Sequence, residues 1–292
     1  MAGVCVVGSV NLDLSLDVDA LPRPGETVLA SSLTYAPGGK GGNQAVAAAR
    51  AGAQVQFVGA VGDDAAAEQL RAHLEANGVG LDGAVEIPGP SGTAIVVVDA
   101  NAENTIVVAP GANGHFTLTD DRVRAVVARC DVLLTQLEIP VDTAVAAAQH
   151  ARSAGAVVVV NASPAGRDSG SLGDLAAVAD VVITNEDEAA EWPWRPEHLV
   201  VTLGAHGARY LGADGEYTVP APAVDPVDTT GAGDVFAGVL AASWPPNPGS
   251  RDRRRLAVRR ACAAGALATL VRGAGDCAPD VRAIDKALRA AS

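Results

Sequence analysis

Aromatic residues are scarce in this chain: Phe, Trp and Tyr together make up 3% of its 292 residues. A core of the size such a chain can bury is therefore aliphatic, built from Val, Ala and Leu. Cysteine is sparse as well. The four present (Cys5, Cys130, Cys262 and Cys277) include no C-x-x-C pair. That argues against a zinc ribbon or a dithiol redox centre and reads as reduced, mostly buried thiols. The five histidines show no metal-ligand spacing, so a zinc site is not expected. Long hydrophobic runs are missing too. The longest purely aliphatic one, "AVVVV" at 156–160, is far too short to span a bilayer. With a strand-like run close behind the first residue and no basic leader, the expectation is a cytoplasmic protein with no membrane partner. Positive charge is also in deficit: 21 Lys and Arg against 34 Asp and Glu leave a net charge of −13. This excludes a protein that depends on nucleic-acid phosphates for affinity. It leaves small phosphate ligands open, because local fields at loops and helix ends can oppose the global one.

Short Val-rich runs alternate with Ala-rich helical stretches. "VCVVGSV" is followed by "NQAVAAARAG", "VQFVGAVG" by "AAAEQLRAHLEANG", and "DVLLTQLE" by "VDTAVAAAQHARSAG". Continuous apolar strands without polar alternation belong to a sheet covered on both faces. The β-then-α order predicts mostly parallel strands with right-handed crossovers. The expected fold class is α/β, doubly wound around a mostly parallel sheet, as a single domain over 1–292. Two segments, 12–37 and 91–113, instead alternate apolar and polar residues around the turns "LPRPGE" and "DANAEN". They predict a small antiparallel layer with one wet face, acting as a lid or an interface. Two ordinary surface hairpins are the competing reading.

Four constellations could carry chemistry. "GGKGGNQA" begins at residue 38 and resembles a phosphate loop. A P-loop, however, needs glycine at position 34 and a hydroxyl residue after the lysine, and here Thr34 and Gly41 stand in those places. What remains is a flexible backbone around Gly39, the cation of Lys40 and the amide of Asn43 entering a helix. These are donors for a polyhydroxylated or anionic ligand, or simply a helix start. "DTTGAGD" at 228–234 precedes an apolar helix pattern. Gly231, Ala232 and Gly233 could present amides at its N-terminus as an anion hole, and Asp234 could accept a hydroxyl proton or merely cap the helix. In "TNEDEAAE", Asn185 and Glu188 stand three apart, suited to Mg2+ through water or to an acidic helix start. Asn11 and Asp13 in "GSVNLD" are expected at the end of the first strand, and Glu138 in "TQLE" at the end of another, where open parallel sheets gather ligands. The basic run "RDRRRLAVRR" at 251–260 reads as a solvated helix face.

The ordered set "GSVNLD", "PGETV", "PGGKGGNQA", "GDD", "TQLE", "TNEDEA", "VTLGAHG" and "DTTGAGD" resembles the ribokinase branch of the PfkB sugar-kinase family, its actinobacterial members in particular. The likeness runs from about residue 4 to 285. It implies transfer of the γ-phosphoryl of ATP to the 5-hydroxyl of D-ribose, with Mg2+ and a monovalent activator, K+. It also implies a doubly wound domain whose β lid makes a homodimer. By the same resemblance Asn11, Asp13, Gly39, Lys40, Asn43 and Glu138 hold the sugar. Asp234 is the catalytic base, flanked by the amides of Gly231, Ala232 and Gly233. The nucleotide meets Asn185, Thr202, Gly204, Gly207 and Gly233, and Glu188 acts on Mg2+ indirectly. The monovalent cation falls to Asp228, Thr230, Ala268, Val271, Gly273 and Cys277, largely through backbone carbonyls.

Two features depart from the family pattern. The helix and strand usual between the Asn-x-x-Glu element and "VTLG" are trimmed to a short joint, and Cys277 replaces a common Ser with a soft sulfur. Another substrate (fructose, 2-deoxyribose or a pseudouridine-like nucleoside) and a sugar sensor without turnover are the alternative readings.

Overall fold

The computed structural model describes residues 2–101, 103–166, 169–245 and 249–290. The extreme ends of the expected 1–292 unit, and Ala102 in the "DANAEN" turn, lie outside the described residues. Strands, in chain order, are β1 (Gly3–Val7), β2 (Asn11–Asp17), β3 (Ser32–Gly38), β4 (Gln54–Val61), β5 (Val79–Glu86), β6 (Gly92–Val98) and β7 (Asn104–Ala109). They continue with β8 (Val132–Thr135), β9 (Val157–Asn161), β10 (Val181–Thr184), β11 (His198–Thr202), β12 (Ala208–Gly212) and β13 (Gly215–Val219). The helices are α1 (Lys40–Arg50), α2 (Ala65–Ala76), α3 (Asp121–Val127), α4 (Val141–Ser153) and α5 (Ser169–Val178). After them come α6 (Glu186–Glu191), α7 (Ala232–Ser243), α8 (Arg251–Ala268) and α9 (Val281–Ala290).

A nine-stranded sheet in the order β13-β12-β11-β10-β9-β8-β1-β4-β5 forms the body. Its strands run parallel except at one edge, where β11-β12-β13 form an antiparallel meander. The apolar runs are used on both faces, as strand period dictates. Val4 and Val6 of β1 face a core with α1, α2, α7, α8 and α9, while Cys5 and Val7 face the other core with α3, α4 and α5. The chain winds from β1 outward through β4 and β5. It then returns to β8 and winds the opposite way to β11. The order therefore reverses between β1 and β8, which is where ligand crevices of such sheets open.

A second sheet, in the order β3-β2-β6-β7, stands apart from the body. It is not wholly antiparallel: its central pair, β2 and β6, runs parallel from Asn11↔Gly92 to Asp17↔Val98. The reason is the connection, since α1, β4, α2 and β5 separate these two strands and only such a long crossover allows parallel pairing. The outer pairs β2–β3 and β6–β7 are antiparallel, as hairpins require. The sheet also ends earlier than residue 113: Gly111–His115 form a 3-10 turn that buries Asn113.

The joint between α6 and β11 is short, and yet β11 pairs directly with β10, so the trimmed segment leaves no gap in the sheet. The basic run is largely exposed, as expected of a solvated helix face, but several of its arginines are also tied down. Arg254 of α8 holds Asp214 through two nitrogens, at 3.1 and 2.7 Å, and Arg260 reaches Asp285 at 2.6 Å. Arg251 and Arg255 lie over the Tyr217 ring, so the guanidinium groups fasten α8 to the meander.

Candidate active site

The loop "GGKGGNQ" enters α1 at the sheet reversal. Gly39 precedes the helix at φ 82°, and a Cβ there would lie 2.7 Å from the Asn11 amide nitrogen and 2.8 Å from Val10 Cα. Both backbone conformation and space demand glycine. Gly39→Ala is expected to cost at least about 2 kcal/mol of stability and to displace the Asn11 strand start. A thermal melt of the variant checks this, and an unchanged Tm would contradict it.

Glu138, just past the end of β8, is fixed from the opposite wall. Its Oε2 accepts from Ser9 Oγ at 2.6 Å and from the Lys40 amide at 3.1 Å. Asn11 is buried at the start of β2, where its Oδ1 accepts from Asn113 Nδ2 at 2.8 Å; Asn113 also exchanges hydrogen bonds with the Val10 backbone. Asp13 points from β2 into the same space, and its Oδ1 is buried without a hydrogen-bond partner. Burial, reinforced by the charges of Glu138 and Asp234, pushes its carboxyl up to about 7. Lys40 shows the reverse balance. Burial opposes its charge, but the carboxylates of Asp234, Glu138 and Glu188 outweigh that, and its ammonium is held above the ordinary lysine value.

Asp234 lies in the first turn of α7, behind Gly231 in the left-handed region at φ 79°. It is buried at 8% exposure. Asn43 Nδ2 donates to one carboxylate oxygen at 3.2 Å, and Gln44 Nε2 to the other at 3.0 Å. The close approach of two helices makes this possible. A Cβ on Gly238, one turn along α7 from Asp234, would lie 2.3 Å from the Gln44 carbonyl, so bare backbone there lets α1 seat against α7. A Cβ on Gly233 would point into open space, leaving the helix start accessible. Of the three loop amides, that of Ala232 already donates weakly, at 3.3 Å, to the Thr229 carbonyl.

The remaining candidates lie along the same rim. Asn185 and Glu188 form a capping box on α6: Asn185 Oδ1 accepts the Glu188 amide at 2.7 Å, and Glu188 Oε2 accepts the Asn185 amide at 2.8 Å. Thr202 Oγ1, at the end of β11, donates to the Thr184 carbonyl at 3.2 Å, and Gly204 and Gly207 bracket the turn that follows. In strand order, β11 stands four places from β1. That puts the Thr202–Gly207 corner roughly 19 Å across the sheet from the Asn11 crevice, with α7 opening between.

The segments on either side of α7 and α8 are joined by Asp228. Its two oxygens accept from the Thr230 and Gly273 amides, both at 2.8 Å, and its amide donates to the Thr269 carbonyl at 3.0 Å. Burial opposes its charge, but those amides hold its carboxyl below the usual range. Cys277 is buried in this loop, and burial pushes its thiol up to about 11. As a neutral S–H it donates to the Ala274 carbonyl at 3.3 Å and approaches Thr230 O at 3.9 Å. Ala268 is fully buried and Val271 exposed, so any role of theirs toward a cation passes through backbone oxygens.

Three residues of the site escape a reading of the sequence: Ser9, Gln44 and Asn113. Ser9 and Gln44 sit inside the motifs "GSVNLD" and "GGKGGNQA", and their polarity was the available signal. Asn113 gave none, because its partners Val10 and Asn11 are about a hundred residues away. A separate surface recess, lined by Thr218, Pro222, Arg255, Leu256 and Leu288 among others, shares no residue with this crevice.

The family described as pfkB family carbohydrate kinase matches residues 1–281. A ribokinase of Bacillus subtilis (strain 168) is 38% identical over 255 residues, covering 83% of this chain and 86% of that protein. A deoxyribokinase of Salmonella typhi is 32% identical over 259 residues, covering 82% and 84%. Among solved structures, Arabidopsis thaliana ribokinase complexed with ribose and ATP superposes with a TM-score of 0.88 at 28% identity, covering 99% of each chain. With buried Asp234 facing the glycine-rich loop across the sheet reversal, and the family matched over nearly its whole length, the chain belongs to the pfkB family of carbohydrate kinases.

Proposed function

We propose that this protein is an ATP-dependent ribokinase that converts D-ribose to D-ribose 5-phosphate. The observation that carries the reading is the meeting of a buried, doubly hydrogen-bonded carboxylate, Asp234, with the sugar-loop amides at an accessible helix start. Asn11, Asp13, Gly39, Lys40, Asn43 and Glu138 orient the pentose. Asp234 takes the proton of the 5-hydroxyl as its oxygen bonds to the γ-phosphorus and the bond to ADP breaks. The Gly231–Gly233 amides and the α7 dipole meet the charge on the transferring group. The nucleotide runs toward Asn185, Thr202, Gly204 and Gly207.

Magnesium supplies charge neutralisation on the phosphates when bound. Glu188 is the group we assign to steer it through water, its carboxylate held in place by the Asn185 amide that Oε2 accepts. The Asp228 loop suits a monovalent cation held by the carbonyls of Thr230, Ala268, Val271 and Gly273, with K+ as the fitting ion. The neutral sulfur of Cys277 lines that loop and is a weak ligand beside them. The second sheet exposes Leu33, Tyr35, Ile95 and Val107 on one face, suited to a homodimer, and Ile106 and Val108 on the face that carries Asp13, suited to closing over the sugar. Among the described residues no helix is long and apolar enough to cross a membrane. We place the protein in the cytoplasm, where thiols stay reduced.

A panel of ribose, 2-deoxyribose, fructose and pseudouridine in a coupled ADP-release assay, with and without K+, tests the substrate. Ribose is expected to give the highest kcat/KM, and K+ to raise it. The similarity to a deoxyribokinase makes 2-deoxyribose the second reading, and a higher kcat/KM for it would replace ribose in the assignment. Ribose binding by calorimetry without ADP release would point to a sugar sensor instead.

A further inference from the structure

Gln44 is completely buried, at 0% exposure, although it stands beside the sugar loop and bears an amide. Its Nε2 donates to Asp234 Oδ1 at 3.0 Å, and its Oε1 is buried with no hydrogen-bond partner among the described residues. Leaving an amide oxygen orphaned in the interior is unfavourable. Turning the amide over would be worse, because it would set that oxygen against a carboxylate oxygen. The side chain is therefore committed to one partner. Asn43, which precedes it in the chain and is 6% exposed, donates to Asp234 Oδ2 at 3.2 Å. The two amides differ in what they can do. Asn43 borders the crevice and can hand its donor to a sugar hydroxyl, freeing Oδ2. Gln44 has no route to solvent or ligand, so its bond to Oδ1 persists through substrate binding.

We infer that Gln44 is a positioning residue for the phosphoryl-transfer step: it pins Oδ1 of Asp234 so that Oδ2 faces the incoming hydroxyl. The inference rests on Asp234 being the base. Proton transfer requires the acceptor within hydrogen-bond reach of the hydroxyl, and a displacement of about 1 Å costs on the order of 10²-fold in rate. The seat for Gln44 is built by the close approach of α1 and α7 at Gly238. The shape of the helix interface and the aim of the carboxylate are thus set together.

Gln44→Met keeps the length and removes the donor. Its kcat is expected to fall about 10- to 100-fold while the KM for ribose stays within about twofold. In an Asp234→Ala background, which leaves no donor facing Gln44, the same substitution is expected to change kcat less than twofold, because its effect passes through the carboxylate. Wild-type kcat in Gln44→Met, or equal proportional losses in the two backgrounds, would overturn the inference. If Gln44→Met does not fold, Gln44→Leu carries the test: it removes the donor without adding a charge or a new donor, a loss of kcat at unchanged KM supports the role, and full activity refutes it. The two assignments fail separately. Near-normal turnover of Asp234→Asn alone would remove the base, whereas an inactive Asp234→Asn beside a fully active Gln44→Met would remove only Gln44.

Discussion

Asp234→Asn is expected to lower kcat for ribose phosphorylation by about 10²–10⁴-fold, the usual worth of a general base, with ribose affinity changed little. The substitution is nearly isosteric and stays in the first turn of α7, so the amides of the Gly231–Gly233 turn keep their places. Its cost lies in proton acceptance, together with one new conflict: the introduced amide nitrogen must face either Asn43 Nδ2 or Gln44 Nε2, both of which now donate to a carboxylate. Asp234→Ala removes that conflict and serves as the control, with a similar loss of kcat expected. Steady-state kinetics alongside ribose calorimetry separates turnover from binding. Turnover within tenfold of wild type would take Asp234 out of its role.

Asp13→Asn is expected to weaken ribose binding while stabilising the free protein above neutral pH. The two effects share one origin. Burial beside Glu138 and Asp234 raises the Asp13 carboxyl from 3.8 to about 7, so the folded protein prefers it protonated. A raised folded value means that Asp13 favours folding most below pH 4. That contribution is lost as pH rises toward 7, and above 7 the ionised carboxylate is a liability. The cycle sets an upper figure of roughly 4 kcal/mol, reduced in practice because the neighbouring charges share the strain. About 2 kcal/mol recovered at pH 8 would raise Tm by about 3 °C for a chain of this size. The gain is expected to shrink to about two-fifths at pH 5, where only the unfolded chain is ionised at this position, and to vanish below pH 4, where Asp13 is protonated in both states. Sugar hydroxyls are the donors that its unpartnered oxygen lacks, and losing charge-assisted hydrogen bonds of about 1.5–3 kcal/mol each should weaken ribose by 10-fold or more. Melts at pH 5 and 8 with ribose calorimetry at pH 8 test both halves. A Tm at pH 8 no higher than wild type, or unchanged affinity, would contradict this account.

The same opposition explains why the crevice gathers so many acids. Asp13, Glu138, Asp234 and Glu188 all act on Lys40 or on one another, in a protein already carrying a net charge of −13. Such a cluster destabilises an empty site and is relieved by a ligand rich in donors, a pattern expected where function rather than folding chose the residues.

By itself, the sequence settled what local chemistry settles. Unbroken Val runs such as "AVVVV" can only be strands covered on both faces, and each does send alternate side chains into two separate cores. The alternating segments could only be strands with a wet face. The failure of the P-loop pattern at Thr34 and Gly41 removed one chemistry outright, and the ordered motifs named the family before any coordinate. What it could not decide were relations between residues far apart in the chain. The parallel pairing of β2 with β6 depends on how a long crossover returns, and no local propensity encodes that. Gln44 reads as the second half of an Asn-Gln pair until α7 closes on it at Gly238. Asn113 reads as the tail of a hairpin until it bonds to Val10 and Asn11. Asp13 reads as an ordinary acid until Glu138 and Asp234 arrive beside it. Burial, proximity of like charges and the unshared donors of buried amides exist only once distant segments meet, and these quantities make a carboxylate into a base or a sugar ligand.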